Sequence, residues 1–116
     1  MLTIYHNPRC SKSRQTLALI EEQNHDVTIV EYLKTPLSAS EIEKLLALLK
    51  ISPIDMMRTK EAEFKEQNLA QADDVTLIAA MAATPKLIER PIVSDSTRAI
   101  IGRPPENVLS LMQVNN

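Results

Sequence analysis

The stretch "LTIYHNPRCSKSRQTLALIEEQNHDVTIVEYL", residues 2–33, decides the fold. Its first four residues alternate apolar and polar side chains, Thr3 and Ile4 are β-branched, and Asn7-Pro8 forces a turn, so a short strand feeds a loop. From Ser11 to about Gln23 the chain runs polar, then "TLALI", then acidic. Leu17 and Ile20 lie three apart on one helical face, and Ser11 or Ser13 is available to cap the helix. "DVTIVEYL", residues 26–33, is rich in β-branched residues and reads as the next strand. Strand, helix and strand in about thirty residues make a βαβ unit, whose helical crossover requires parallel strands.

Downstream, Thr35-Pro36 breaks the strand. Ser38 and Glu41 have capping-box spacing ahead of Ile42, Leu45, Leu46 and Leu49, which recur at helical intervals. Pro53 opens a short predicted helix through Met57 and Arg58, and residues 59–72 are charged and weakly periodic. Asp73 or Asp74 can cap "VTLIAAMAA", which must stop before Pro85. "RPIVSDSTRAIIGR" reads as two strands joined by a polar turn at Ser94-Asp95-Ser96, and Pro104 suits the first position of a helix over "PENVLSLM". The order is βαβ, several helices, then ββα. No repeat, linker or low-complexity segment interrupts it, so residues 1–116 are expected to form a single domain.

Composition removes several functions. At 116 residues with 44% hydrophobic content, the chain can build a core without staples. A formal charge of −2 argues against a general nucleic-acid binder, and no apolar run approaches the roughly 20 residues of a membrane span. One cysteine cannot form an internal disulfide, and no targeting segment is evident, which points to the cytoplasm. With one cysteine and two histidines, His25 in a separate turn, no metal site is expected.

Cys10 stands at the first turn of the first predicted helix. A thiol reacts as its thiolate, which free backbone N–H groups and the macrodipole at a helix start stabilise. Ser13, in a C-x-x-S arrangement, can bring its hydroxyl near the sulfur, and His6 and Arg14 can add positive potential. The other common fate of a lone cysteine is burial as a small apolar residue. A phosphatase C-x5-R loop is absent, since Thr16 stands six residues on, and so is the C-x-x-C dithiol. Any disulfide made by Cys10 must be resolved by a thiol from another molecule. Arg58, Arg90 and Arg103 each read singly as a solvated cation; as a group they suggest an oxyanion site, because guanidinium forks bind oxyanions bidentately and stay charged.

Four segments in order, "TIYHNPRCSKSRQTL", "MMRTKE", "ERPIV" and "GRPPE", resemble the glutaredoxin-coupled arsenate reductases over essentially the whole chain. The resemblance implies an α/β, thioredoxin-like fold: a four-stranded mixed sheet with flanking helices and a helical insertion, at about 36–86, between the βαβ and ββα parts. It makes Cys10 the nucleophile that attacks arsenate, with His6, Ser13 and Arg14 supporting the thiolate. It makes Arg58, Arg90 and Arg103 the oxyanion ligands and Pro91 a cis-proline facing the cysteine. It further implies a cytoplasmic monomer without bound cofactor, with glutathione as co-substrate and glutaredoxin as partner. Members commonly carry Gly-Thr-Ser after the cysteine, where this chain has Ser11-Lys12-Ser13. Relatives of two other kinds leave alternatives: a thiol-based regulatory or protein-binding module, and a glutathione-dependent reductase of another oxyanion.

Overall fold

The computed structural model describes residues 1–112; residues 113–116 of the expected domain lie outside them. The chain forms two compact units, one made of Met1–Tyr32 with the segment from Arg90 onward, the other of Leu33–Glu89.

The first unit contains β1 (Leu2–Tyr5), α1 (Ser11–Glu22), β2 (Val27–Val30), β3 (Ile92–Ser94), β4 (Ala99–Ile101), a 3-10 turn (Pro105–Val108) and α5 (Leu109–Met112). Its four strands make a mixed sheet in the order β2-β1-β3-β4. β1 runs parallel to β2, with Leu2 opposite Val27, and antiparallel to β3, with Ile4 opposite Val93; β3 and β4 are antiparallel. The alternation in β1 sends Leu2 and Ile4 to the interior, where they join Ile20, Val93, Val108 and Leu111 in one apolar cluster. β3 is buried at all three positions, as suits a central strand. The turn between β3 and β4 is built by Asp95, whose Oδ1 accepts from the N–H groups of Thr97 and Arg98.

Only Ile20 of the two apolar residues singled out in α1 is fully buried; the remaining buried positions are Ser13 and Thr16. Both polar groups are bonded internally, Thr16 to the Lys12 carbonyl at 2.8 Å and Ser13 to His6 at 2.6 Å. Periodicity alone understates this face because it counts only apolar residues. Neither serine caps the helix. Cys10 is the N-cap, Ser11 is the first helical residue and Ser13 points inward.

Gly102, the chain's one glycine, follows β4 and donates its N–H to the Pro91 carbonyl at 2.8 Å. A Cβ there would stand 2.6 Å from Thr16 Oγ1 and 2.9 Å from Pro91 Cγ. The missing side chain therefore lets α1, Pro91 and the end of β4 meet. Overpacking of this kind costs about 1–3 kcal/mol. Gly102→Ala should lower the melting temperature by several degrees, and an unchanged melt would show that the contact relaxes freely.

In the second unit come α2 (Ala39–Leu49), a 3-10 turn (Pro53–Met56), α3 (Ala62–Glu66), a 3-10 turn (Leu69–Gln71), α4 (Asp74–Ala83) and a 3-10 turn (Pro85–Leu87). The capping box forms as spaced, Ser38 accepting from Glu41 N–H and Glu41 from Ser38 N–H. Of the two candidates, Asp73 caps α4. α2 packs on α4, which also meets the first and last 3-10 turns, burying Ile42, Leu45, Met56, Leu77, Met81 and Leu87.

Three local expectations need correction. The second strand ends at Val30 rather than near Leu33. The turn opened by Pro53 ends at Met56, because Met57 is already extended and bridges Ile88, leaving Arg58 outside it. Pro104 is not the first helical residue; it precedes the turn, and Pro105 takes that place. Among the described residues, no helix is long and apolar enough to cross a membrane.

Candidate active site

The loop leaving β1 sets the start of α1. His6 N–H bonds the Val30 carbonyl at 2.8 Å, carrying the β1–β2 ladder one residue further. Asn7 then closes the turn twice: its carbonyl accepts from Cys10 N–H and its Oδ1 from Arg9 N–H, both at 3.0 Å. Pro8, between them, has no N–H to satisfy and a fixed φ. The chain turns into α1 with Arg14 N–H bonded to the Cys10 carbonyl, leaving the N–H groups of Lys12 and Ser13 without helical partners.

The Cys10 thiol is half-buried and free. It closes no side-chain cap bond, but those N–H groups still act on it. Burial alone would push its pKa up. The Ser13 N–H, the charge and hydrogen bond of the Arg90 guanidinium, and the Lys12 N–H outweigh burial and hold the thiol below its ordinary value. α1 has an inverted charge pattern. Lys12 and Arg14 stand at its start and Glu21 and Glu22 at its end, the reverse of what the helix dipole favours. Such an arrangement gives up some helix stability.

Arg90 and Pro91 enter β3 through a cis peptide bond, and a second cis bond, unforeseen in the sequence, joins Arg103 to Pro104. Arg90 Nε is buried and has no hydrogen-bond partner. A buried unpartnered donor costs about 1–3 kcal/mol, so it is a natural place for an oxyanion oxygen. Arg103 follows Gly102 directly, its backbone held by Asn107 Nδ2 at 3.2 Å, with its side chain exposed.

His6 and Arg14 are not among the groups that lower the thiol. Arg14 is exposed and donates from Nη1 to the Pro8 carbonyl. His6 is buried, and burial above all lowers its pKa, with Glu31 opposing, Arg14 adding and Glu21 opposing. A neutral imidazole brings no charge to the sulfur. The Ser13 hydroxyl is also turned away from the thiol, towards His6, so Ser13 serves Cys10 through its backbone N–H.

The His6 shift has a sign that can be tested. In the unfolded chain the imidazole takes up its proton near pH 6.5, while in the fold it does so only at lower pH. The unfolded state thus binds more protons in that window. Stability due to the neutral ring is complete above about pH 6.5 and falls as the pH drops towards the folded value. Replacement by asparagine, which cannot titrate, should flatten that part of the acid limb of a stability-versus-pH curve; an identical limb would assign the loss to other groups.

Arg58 belongs to the other compact unit. There its N–H bonds the Leu87 carbonyl, and its guanidinium pairs closely with Glu61 and, at 4.0 Å, with Glu89. Lys86 ties Glu61 to Glu63 in the same network. The Arg58 guanidinium, an oxyanion ligand by resemblance, is thus already paired with two carboxylates. Among the described residues, no group of three or more His, Cys, Asp or Glu side chains gathers to hold a metal ion.

The sequence model of the ArsC family matches residues 5–111, spanning both units and every candidate site residue named above. This chain belongs to the ArsC family. Among relatives of this ArsC protein, the uncharacterized protein YfgD of Escherichia coli strain K12 is 49% identical over 94% of each chain. The arsenate reductase of Haemophilus influenzae is 44% identical over 94% of this chain and 97% of its own. A solved structure, the arsenate reductase from Vibrio cholerae, is similar to the ArsC protein with a TM-score of 0.90 and 50% identity, over 94% of this chain and 95% of the other. The thioredoxin-like, mixed-sheet fold is thus that of ArsC arsenate reductases.

Proposed function

We propose that this protein is a cytoplasmic arsenate reductase in which the Cys10 thiolate is the nucleophile. The observation that carries the proposal is the pairing of a lowered thiol with a guanidinium that helps to lower it and keeps a buried donor unpartnered. Similarity to arsenate reductases over nearly the whole chain supports the choice of substrate.

The thiolate displaces one oxygen of arsenate, which leaves as water after protonation, and an As–S bond forms. Arsenic still has to gain two electrons. Cys10 is the chain's one cysteine, so both must come from thiols supplied from outside. Glutathione attacks the adduct at arsenic and displaces a second oxygen as water. A glutaredoxin thiol then takes the glutathione sulfur into a mixed disulfide, leaving two electrons on arsenic, and water cleaves the remaining As–S bond to release arsenite and restore Cys10. Arg90 stabilises the oxyanion through its fork, with Arg103 as the second proposed ligand. Arg58 joins them on the strength of the resemblance alone, since Glu61 and Glu89 hold its guanidinium. Pro91 is proposed to face the thiol, and residues 1–116 to act as one functional domain and as a monomer, without a bound cofactor.

The test is arsenate-dependent NADPH oxidation in a mixture of the protein, glutathione, glutaredoxin and glutathione reductase, with each component omitted in turn. Oxidation that needs all of them is the expected result. Oxidation that persists without glutaredoxin would remove that partner. Complete absence of turnover from folded protein would turn attention to other oxyanions or to a regulatory role.

A further inference from the structure

Ser13 is fully buried and His6 is 6% exposed, and their side chains lie 2.6 Å apart from Oγ to Nδ1. The same Oγ accepts the backbone N–H of Asn7 at 3.0 Å. A serine hydroxyl has one proton to give and two acceptor sites. With one acceptor site taken by Asn7, the direction of the contact to His6 follows from the remaining proton. If Nδ1 carried a hydrogen it would fill the second acceptor site, and the hydroxyl proton would then need a further acceptor. No other partner of this oxygen exists among the described residues. If Nδ1 is bare, it accepts the hydroxyl proton and the Ser13 hydroxyl is left with no unpaired proton.

We propose that His6 is a positioning residue that acts through Ser13 as a neutral imidazole: bare Nδ1 accepts the Ser13 hydroxyl proton and pins the first turn of α1 to the end of β1, keeping the Lys12 and Ser13 N–H groups aimed at Cys10. The histidine then influences the thiol through geometry, not through charge. Its surroundings agree, since burial and Arg14 oppose a charged ring and outweigh Glu31, just past β2, and Glu21 in α1. Asn7 has a part too, as its N–H fills the site that a protonated Nδ1 would need.

The inference deepens the reading of Cys10 as the nucleophile, but it can be tested without arsenate. Two measurements on the full chain suffice: the imidazole nitrogen shifts of the wild type at pH 7, and the pH dependence of Cys10 alkylation by iodoacetamide in the wild type, His6→Asn and His6→Ala. The His6 signals are those lost in either variant, which separates them from His25. The expected result is a neutral ring protonated at Nε2. The alkylation midpoint should stay within about 0.3 pH unit of the wild type in His6→Asn, whose uncharged amide can still accept the hydroxyl, and rise by about half a unit or more in His6→Ala. An imidazolium or an Nδ1-protonated ring at pH 7 would overturn the proposal. So would an asparagine midpoint displaced as far as that of alanine, or an alanine midpoint that does not move. Should the alanine variant not fold, the wild-type tautomer and the asparagine midpoint decide.

Discussion

Cys10→Ser is expected to melt at a slightly higher temperature than the wild type and to lose arsenate turnover by at least about a thousandfold. The two effects share one cause. Position 10 is the N-cap of α1, and the thiol there closes no side-chain cap bond. A serine hydroxyl caps well, so the variant should gain up to about 1 kcal/mol at the start of α1. Yet a hydroxyl beside the same N–H groups and the same guanidinium stays protonated at neutral pH, and an alcohol is a far weaker nucleophile than a thiolate. Melting curves and the coupled assay check the two halves separately. A serine variant with wild-type turnover would dismiss Cys10 as nucleophile, whereas an inactive variant that also fails to fold would contradict the capping argument.

Arg90→Lys should lower arsenate kcat/KM by about tenfold or more while leaving the thiol pKa below its ordinary value. Lysine keeps the positive charge that helps hold the thiol low, but it has no planar fork and no counterpart to the buried, unpartnered Nε. The contrast between turnover and thiol ionisation separates the proposed roles of this one side chain. If kcat/KM fell only in step with a rising thiol pKa, Arg90 would serve the sulfur and not the oxyanion. Unchanged kinetics would remove it from both.

Much of this was legible in the sequence because local rules dominate where it was legible. The capping box at Ser38 and Glu41, the Asp73 cap and the alternation of Leu2 and Ile4 depend on near neighbours, and each formed. The βαβ start followed from periodicity and length, and β1 and β2 are parallel. What the sequence could not show depends on distant partners. Ser13 looks like a cap when read beside its neighbours; it is drawn inward by His6 and by Asn7 N–H at the other side of the loop. Lys12 and Ser13 reach the thiol through backbone groups, to which side-chain identity gives no clue. Arg90 is eighty residues from Cys10 in the chain and meets it only because β3 lies beside β1 in the sheet. Gly102 invited no comment by itself, and its meaning emerges only against Thr16 and Pro91. The carboxylate beside Arg58 was the exception: Glu61, three residues on, was there to be read.

The most direct test is to follow the ultraviolet absorbance of the thiolate as the pH is raised, in the wild type and in Arg90→Gln. With one cysteine in the chain, the thiolate signal belongs to Cys10. The wild-type midpoint should fall below about 8.5, the value of a free thiol, and it should rise when the Arg90 charge is removed. A wild-type midpoint at or above that value would mean that burial prevails over the N–H groups and the guanidinium, and Cys10 would then be an ordinary half-buried thiol.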